Sequence, residues 1–336
     1  MKTNIIPNTF GISCTASELI EYDSVESLCE CLRHHAAQRM LHVGGGSNLL
    51  FLHSYYEGIV LHNGIRTMEV LREDEDGVLL RVGGGMVWDD FVAETLRRGW
   101  YGLENLSLIP GEVGASAVQN VGAYGAEAGE YIECVECLNL YTQEHRIFTH
   151  EECQYAYRYS IFKSEEHRGQ WAVLYVQYKL SRHFVPSLRY GGILHELELR
   201  AISPAGLTAN QLREIIISIR QQKLPDPKVQ GSAGSFFKNP IVPRHQFERL
   251  LDAYPTMPYY EVSDSEVKIP AGWLIEQCGW KGRSLGPAAV HDRQALVIVN
   301  RGGATGQDIL ALCRAIQTDV KQNFGIELQP EVNFID

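Results

Sequence analysis

The 336-residue sequence has no long apolar run, no excess of positive charge and no standard nucleotide fingerprint. No stretch approaches the roughly 18 consecutive apolar residues of a membrane span, so no membrane segment is expected. The first residues, MKTNIIPNTFGISC, carry one lysine and no long apolar segment, so no signal peptide is expected. Lys and Arg total 30 against 41 Asp and Glu, a formal net charge of -11. That balance argues against a nucleic-acid partner, although a local Lys/Arg cluster can still hold an anionic substrate. The Gly-Lys-Ser/Thr ending of a Walker A loop is missing, and neither triple-glycine run fits GxGxxG. A dinucleotide bound here would sit in a fold other than Rossmann.

The eight cysteines (Cys14, Cys29, Cys31, Cys134, Cys137, Cys153, Cys278 and Cys313) are scattered, and they read as reduced thiols of a cytosolic protein. Cys134 and Cys137 form one CxxC, without the second pair or nearby histidines that zinc needs. The alternation of YIECVECLNLY is strand-like and puts them on opposite faces, so no metal site is expected.

What is present is ordinary globular composition, 45% hydrophobic and 21% charged. A helix is predicted after Asp23-Ser24, with Leu28 and Leu32 inward, and another over Trp88–Arg98 with Phe91, Val92 and Leu96 inward. Strands are predicted around the first glycine run, over 66–85, 131–148 and 171–180. Residues 101–126 are rich in glycine and alanine without periodicity and read as a loop. A boundary is placed near Ser203-Pro204-Ala205-Gly206. Beyond it lies a helix over Leu207–Gln222, stopped by Leu224-Pro225-Asp226-Pro227. Asp308–Phe324 is a further helix, with Gly325 placed to cap it.

Two segments are suited to a phosphate-bearing ligand. Gly44, Gly45, Gly46, Ser47 and Asn48 follow an apolar strand, and consecutive glycine N–H groups make an anion nest. The second segment runs from Pro110, Gly111, Gly114 and Ala115 to Asn120, Gly122, Ala123 and Tyr124, leaving room for a flat ligand against bare backbone. For the triple glycine alone, a plain turn is the stronger reading.

Together with NTFGI at 8–12, these segments form a recognisable series: GGGSNLLF at 44–51, GLENLSLIPGEVGASAVQNVGAYG at 102–125, YRYSIFK at 157–163, LPDPK at 224–228, GSAGSFFKNP at 231–240, AGWLIEQCG at 271–279, AAVH at 288–291 and PEVNF at 330–334. The series resembles the MurB family, the UDP-N-acetylenolpyruvoylglucosamine reductases, from residue 8 to residue 334. The resemblance implies an α+β protein with a two-lobed FAD-binding domain of the vanillyl-alcohol-oxidase (PCMH) type and a C-terminal α+β substrate domain. The expected spans are 1–65 and 66–200 for the FAD lobes, 201–325 for the substrate domain, and 326–336 for a terminal strand returning to the flavin site.

The resemblance further implies non-covalent FAD, with Gly44 to Asn48 at the diphosphate and 110–125 along the isoalloxazine. NADPH is the implied co-substrate. Hydride reaches C3 of the enolpyruvyl ether of UDP-N-acetylglucosamine, and a proton is added at C2. Negative charge then develops on C2 and the carboxylate, which calls for a cation, preorganised donors and a nearby acid. By motif position Ser235 matches the acid, Arg158 the cation and Glu331 a further group on the enolate. A carboxylate can act there only when protonated or when orienting another donor. Tyr190, Lys223, Asn239 and Gln294 match contacts to the UDP-sugar, with Tyr190 on a loop that covers it. Ala115, Ala117 and Gly192 depart from the residues of many relatives. A cytoplasmic monomer, with no membrane or nucleic-acid partner, is expected.

Gly282-Arg283-Ser284-Leu285-Gly286 also fits the GxSxG of a serine hydrolase, but no clean strand precedes it and no histidine follows His291. A flavin oxidase on the same cofactor fold, and a silent binding protein, are the remaining alternatives. The C-terminal motifs argue against the first, and Ser235, Arg158 and Glu331 against the second.

Overall fold

The computed structural model describes residues 4–36 and 38–336. Helices and mostly antiparallel sheets give the expected α+β class. The chain forms two compact units. Of the described residues, the first contains 4, 16–36, 38–45 and 57–222; the second contains 5–15, 46–56 and 223–336.

In the first unit, helix Val25–His34 opens on Ser24, whose hydroxyl accepts from Ser27 N–H while Ser27 Oγ accepts from Ser24 N–H, both at 3.2 Å. This reciprocal cap satisfies two otherwise orphaned donors. Leu28 and Leu32 then pack on Met40, Ile59 and Leu61 of a three-stranded sheet ordered Thr15–Tyr22, Tyr55–Asn63, Met40–Val43. A five-stranded antiparallel sheet follows, with Trp171–Ser181 between Ile132–Asn139 and Gly77–Gly83. Its long strand carries a bulge between Val173 and Tyr175. The extra residue turns Leu174 onto the core of Leu28 while Val173 and Val176 face that of Trp88 and Phe91. The carbonyls freed by the bulge are taken up at once. Gly84 N–H donates to Leu174 O at 2.8 Å and Asn63 Nδ2 to Val173 O at 2.8 Å. A methyl on Gly85 would lie 1.9 Å from Asn63 O, so the second glycine run is accounted for by backbone packing.

Helix Ala209–Lys223 buries Leu212, Ile215, Ile216 and Ile219 against Ile193 and Leu197 of helix Gly191–Leu199. It starts slightly later than the sequence pattern suggests because Thr208 caps it, accepting from Gln211 N–H at 3.3 Å. This packing keeps it in the first unit, and Pro204–Gly206 is a turn inside that unit.

In the second unit, Ser232–Ser235 pairs with Val297–Asn300, followed by Ala288–Val290 and Ser284–Leu285. Helix Gly306–Phe324 buries Ile309, Leu312, Ile316, Val320 and Phe324 and ends at Gly325, with φ 65°. It begins before Asp308 because Thr305 is the cap, and Asp308 is the third residue of the capping box. The end of the chain, Asn333–Ile335, runs parallel to Leu49–Phe51. The GxSxG segment is an exposed edge hairpin closed by Val290 N–H on Arg283 O, not the strand–turn–helix of a nucleophile elbow.

Gly46 couples the NTFGI segment to the glycine loop. It adopts φ +66°, and a methyl there would lie 2.1 Å from Pro7 O, while Thr9 N–H donates to Gly46 O at 3.2 Å. Gly46→Ala is therefore expected to destabilise the protein by about 3 kcal/mol or more. A urea-denaturation midpoint equal to wild type would refute this.

Candidate active site

The two small-residue segments meet in the first unit. A methyl on Gly45 would be 3.5 Å from Gly111 Cα, and one on Gly44 would be 3.4 Å from Ala115 Cβ and 3.2 Å from Glu112 Oε2. The bare backbone of one segment thus faces that of the other. Residues 113–119, expected as loop, form a seven-residue helix, Val113–Gln119. Its small side chains carry almost no apolar periodicity; Val113 and Ala117 are buried in the hydrophobic core and Val118 packs against it half-buried.

Glu112, which the sequence reading did not single out, is buried beside this cradle. Its Oε1 takes His62 Nε2 at 2.8 Å, and His62 Nδ1 reaches Glu21 at 2.9 Å. The hydrogen bond to Glu112 raises the pKa of His62 against the opposing effect of burial. Glu112 Oε2 is buried without a hydrogen-bond partner. A cradle of bare glycine backbone and an unsatisfied buried polar atom suit a large polar cofactor such as FAD, with Gly44, Gly45, Gly111 and Ala115 as its walls. The pairing of His62 with Glu112 joins residues far apart in the chain, and no local pattern announces it.

Asn120 caps the helix at φ 47°. Its side-chain amide donates to Glu127 Oε2 at 2.7 Å and Ala156 O at 2.9 Å and accepts from Gly129 N–H at 2.8 Å. Its side chain is thus engaged inside the protein, and its N–H donates to Ser116 O. Beyond it, Gly122–Ala123 pairs with Ala126–Glu127 around Tyr124 (φ 51°) and Gly125 (φ 83°), the positive-φ pair of a type I′ hairpin. Arg158 Nη2 donates to Gly122 O. Arg158 is itself in the left-handed region, φ 54°, held by bonds in both directions between Ala156 and Tyr159.

Tyr190 packs edge-on against Tyr124, ring centroids 5.0 Å apart. A methyl on Gly192 would lie 2.6 Å from the Tyr190 ring, which gives the glycine at that position a physical reason. Tyr190 immediately precedes helix Gly191–Leu199. Buried Asn105 donates to both Tyr124 O (2.8 Å) and Ser187 O (2.9 Å), tying the tyrosine hairpin to the Tyr190 segment. Arg220 lies beside Tyr124, donates to Leu108 O at 3.2 Å, and has its pKa lowered by burial. Lys223 ends the same helix as Arg220.

The second unit gathers another set. Antiparallel bonds join Lys238 N–H to Gln329 O (2.9 Å) and Glu331 N–H to Phe236 O (2.8 Å). Asn48 Nδ2 donates to Glu331 O at 3.2 Å. GGGSN, GSFFKNP and PEVNF are thereby brought together, with Ser235 next to the residue that pairs with Glu331. Gly234, at φ +69°, sits in a bulge that sets Ser235 opposite Val297. Asn239 Oδ1 accepts from Ala271 N–H at 2.9 Å, at the start of helix Ala271–Gln277. Gln294 Oε1 accepts from Leu296 N–H at 3.2 Å.

The CxxC pair behaves as its spacing suggests. Cys137 is buried with Val135 in the core, and Cys134 faces the other way. Burial pushes the Cys134 thiol to about 11 and Cys137 well above its ordinary value. All eight cysteines are free, and among the described residues no group of three or more His, Cys, Asp or Glu could hold a metal ion. No helix among them is long and apolar enough to cross a membrane.

Comparison with known proteins bears on both units. An FAD-binding-domain family model matches residues 17–147, and the model of the C-terminal domain of UDP-N-acetylenolpyruvoylglucosamine reductase matches 226–335. The UDP-N-acetylenolpyruvoylglucosamine reductase of Bacteroides fragilis (strain YCH46) is 54% identical over 329 residues, covering 98% of this chain and 97% of that protein. The enzyme of the same name from Porphyromonas gingivalis (strain ATCC 33277) is 48% identical over 330 residues, covering 98% and 96%. The crystal structure of that reductase (MurB) from Thermus caldophilus matches all of both chains with TM-score 0.66 and 25% identity. With such identity sustained over almost the full length of both chains, the protein belongs to the UDP-N-acetylenolpyruvoylglucosamine reductase family.

Proposed function

We propose that this chain is an FAD-dependent oxidoreductase that uses NADPH to reduce the enolpyruvyl ether of UDP-N-acetylglucosamine to UDP-N-acetylmuramate. The observation that carries the reading is the gathering of Asn48, Ser235–Phe236 and Glu331, by the Asn48 amide on Glu331 O and the main-chain bond of Glu331 to Phe236, within a chain 54% identical to a reductase of that name. Bound FAD supplies the hydride. Gly44 to Asn48, with Pro110, Gly111, Gly114, Ala115 and the 120–124 hairpin, hold the cofactor. Spans 1–65 and 66–200 are its proposed lobes and 201–325 the span that serves the substrate, although 46–56 belongs to the second compact unit and 209–222 to the first.

Ser235 delivers the proton to substrate C2. Arg158 pairs with the substrate carboxylate, where charge builds as hydride arrives at C3. Glu331 orients donors at the enolate. Lys223, Asn239 and Gln294 bind the UDP part, and Tyr190 covers it. Eight free thiols suit a cytoplasmic setting.

The test is spectroscopic. Purified protein is expected to show oxidised-flavin absorption that NADPH bleaches and the enolpyruvyl substrate restores without oxygen. A protein that takes up no FAD, or whose colour returns only with oxygen, refutes the reading.

Two variants refine it. Glu331→Gln is expected to cut turnover about 10²-fold or more, as loss of a positioned transition-state group does; steady-state turnover at the wild-type rate would remove Glu331 from the chemistry. Tyr190→Phe keeps the ring packed on Tyr124 and removes only the hydroxyl. It is expected to raise the KM for the UDP-sugar about tenfold with the KM for NADPH unchanged, and the reverse order would refute the covering role.

A further inference from the structure

The segment 156–163 is fastened to 118–122 by a ladder of side chains. Ser160 Oγ donates to Val118 O at 2.6 Å, Lys163 Nζ to Gln119 Oε1 at 2.7 Å, Asn120 Nδ2 to Ala156 O at 2.9 Å, and Arg158 Nη2 to Gly122 O. Within this ladder Lys163 makes a second contact, donating to the carbonyl of Arg158 at 3.0 Å. That carbonyl belongs to a residue in the left-handed region, a conformation strained for a residue other than glycine. Such a turn persists only when its surroundings over-determine it, and Lys163 bonds it directly.

Lys163 is well placed to do so. It closes the short turn Ile161–Lys163, whose Phe162 is buried edge-on against Phe148 with centroids 5.0 Å apart. The turn is thus anchored in the core of the first unit, and Lys163 itself is half-buried. Its other partner, Gln119, is the last residue of helix Val113–Gln119, which rises from the cofactor cradle. One ammonium therefore sets the position of the Arg158 backbone relative to the helix that lines the cradle.

We propose that Lys163 is a positioning residue for substrate reduction: it fixes the strained Arg158 turn so that the guanidinium is preorganised for the substrate carboxylate. This rests on the role assigned to Arg158 above. Preorganisation of this kind acts on the transition state, so its loss falls on kcat rather than on cofactor binding.

The test uses holoenzyme and five variants. Lys163→Met is expected to lower kcat for substrate reduction roughly 10- to 100-fold, with FAD content and the rate of flavin reduction by NADPH unchanged. Lys163→Arg, which keeps a cationic donor, is expected to recover most of the loss. The double variant Lys163→Met/Arg158→Met is expected to be no slower than Arg158→Met alone, because the two share one effect. Gln119→Leu, which loosens Lys163 from the helix, gives an independent intermediate reading should Lys163→Met fold poorly. Wild-type kcat in Lys163→Met or Gln119→Leu, or losses that multiply in the double variant, overturns the proposal while Arg158 keeps its role. Wild-type kcat in Arg158→Met overturns the assignment of Arg158 and this proposal with it.

Discussion

Ser235→Ala is expected to slow reduction of the enolpyruvyl substrate by about 10²- to 10⁴-fold, the usual contribution of a positioned general acid, while flavin reduction by NADPH proceeds at the wild-type rate. The asymmetry follows from where Ser235 sits. Its strand carries three residue steps against two on the partner, from Ser232 opposite Val299 to Ser235 opposite Val297, and Gly234 absorbs the difference at φ +69°. Such a bulge re-aims the next side chain. Immediately after it, Phe236 N–H is bonded to Leu296 O at 2.8 Å, and Phe236 and Phe237 are fully buried. The backbone at 235 is therefore fixed by its neighbours and not by its own hydroxyl. Replacement by alanine removes one oxygen and leaves the frame. Stopped-flow measurement of the two half-reactions separates the cases. Equal slowing of both, or no slowing, would remove Ser235 as the acid.

Elements with a strong local pattern were legible in the sequence. Helix Gly306–Phe324 has a complete apolar stripe and a terminal glycine, and helix Val25–His34 has a serine cap and an inward leucine pair. The seven-residue helix Val113–Gln119 was not legible, because a run of Gly, Ala and Ser presents no stripe to read. The two glycine runs looked alike, yet Gly83-Gly84-Gly85 is explained by contact with Asn63, Ile65 and the bulged strand, whereas Gly44 and Gly45 face the second cradle. Only tertiary packing separates those cases.

At the candidate site, motif resemblance supplied Ser235, Arg158 and Glu331. The supporting residues escaped it: His62 with Glu112, Asn105 under the tyrosine hairpin, and Lys163 under the Arg158 turn. Each joins segments distant in sequence, so periodicity carries no trace of it. Asn120 was legible as important, but as a ligand contact; the structure shows its side chain stapling the helix end to Ala156, Glu127 and Gly129.

Arg158→Met is expected to lower kcat for substrate reduction by about 10²- to 10³-fold, the cost of removing one preorganised donor from a developing anion. FAD retention should be nearly unchanged, because the turn that presents residue 158 is held by Ala156, Tyr159 and Lys163 through main-chain atoms. The guanidinium donates to the carbonyl of Gly122 and lies over the Tyr157 ring, 5.1 Å from its centroid, and its planar fork of N–H donors matches the geometry of a carboxylate. A lysine at 158 offers a charge without the fork. It cannot bond Gly122 O and a carboxylate in the same fixed plane, so Arg158→Lys is expected to recover less than half of the lost activation free energy. Rapid-mixing rates for Arg158→Met, Arg158→Lys and wild type, each loaded with FAD and pre-reduced, give the ordering directly. A methionine variant at the wild-type rate would show that the charge of Arg158 plays no part in the step. A lysine variant equal to wild type would show that charge alone matters, and the geometry of the strained turn would then need a different reason.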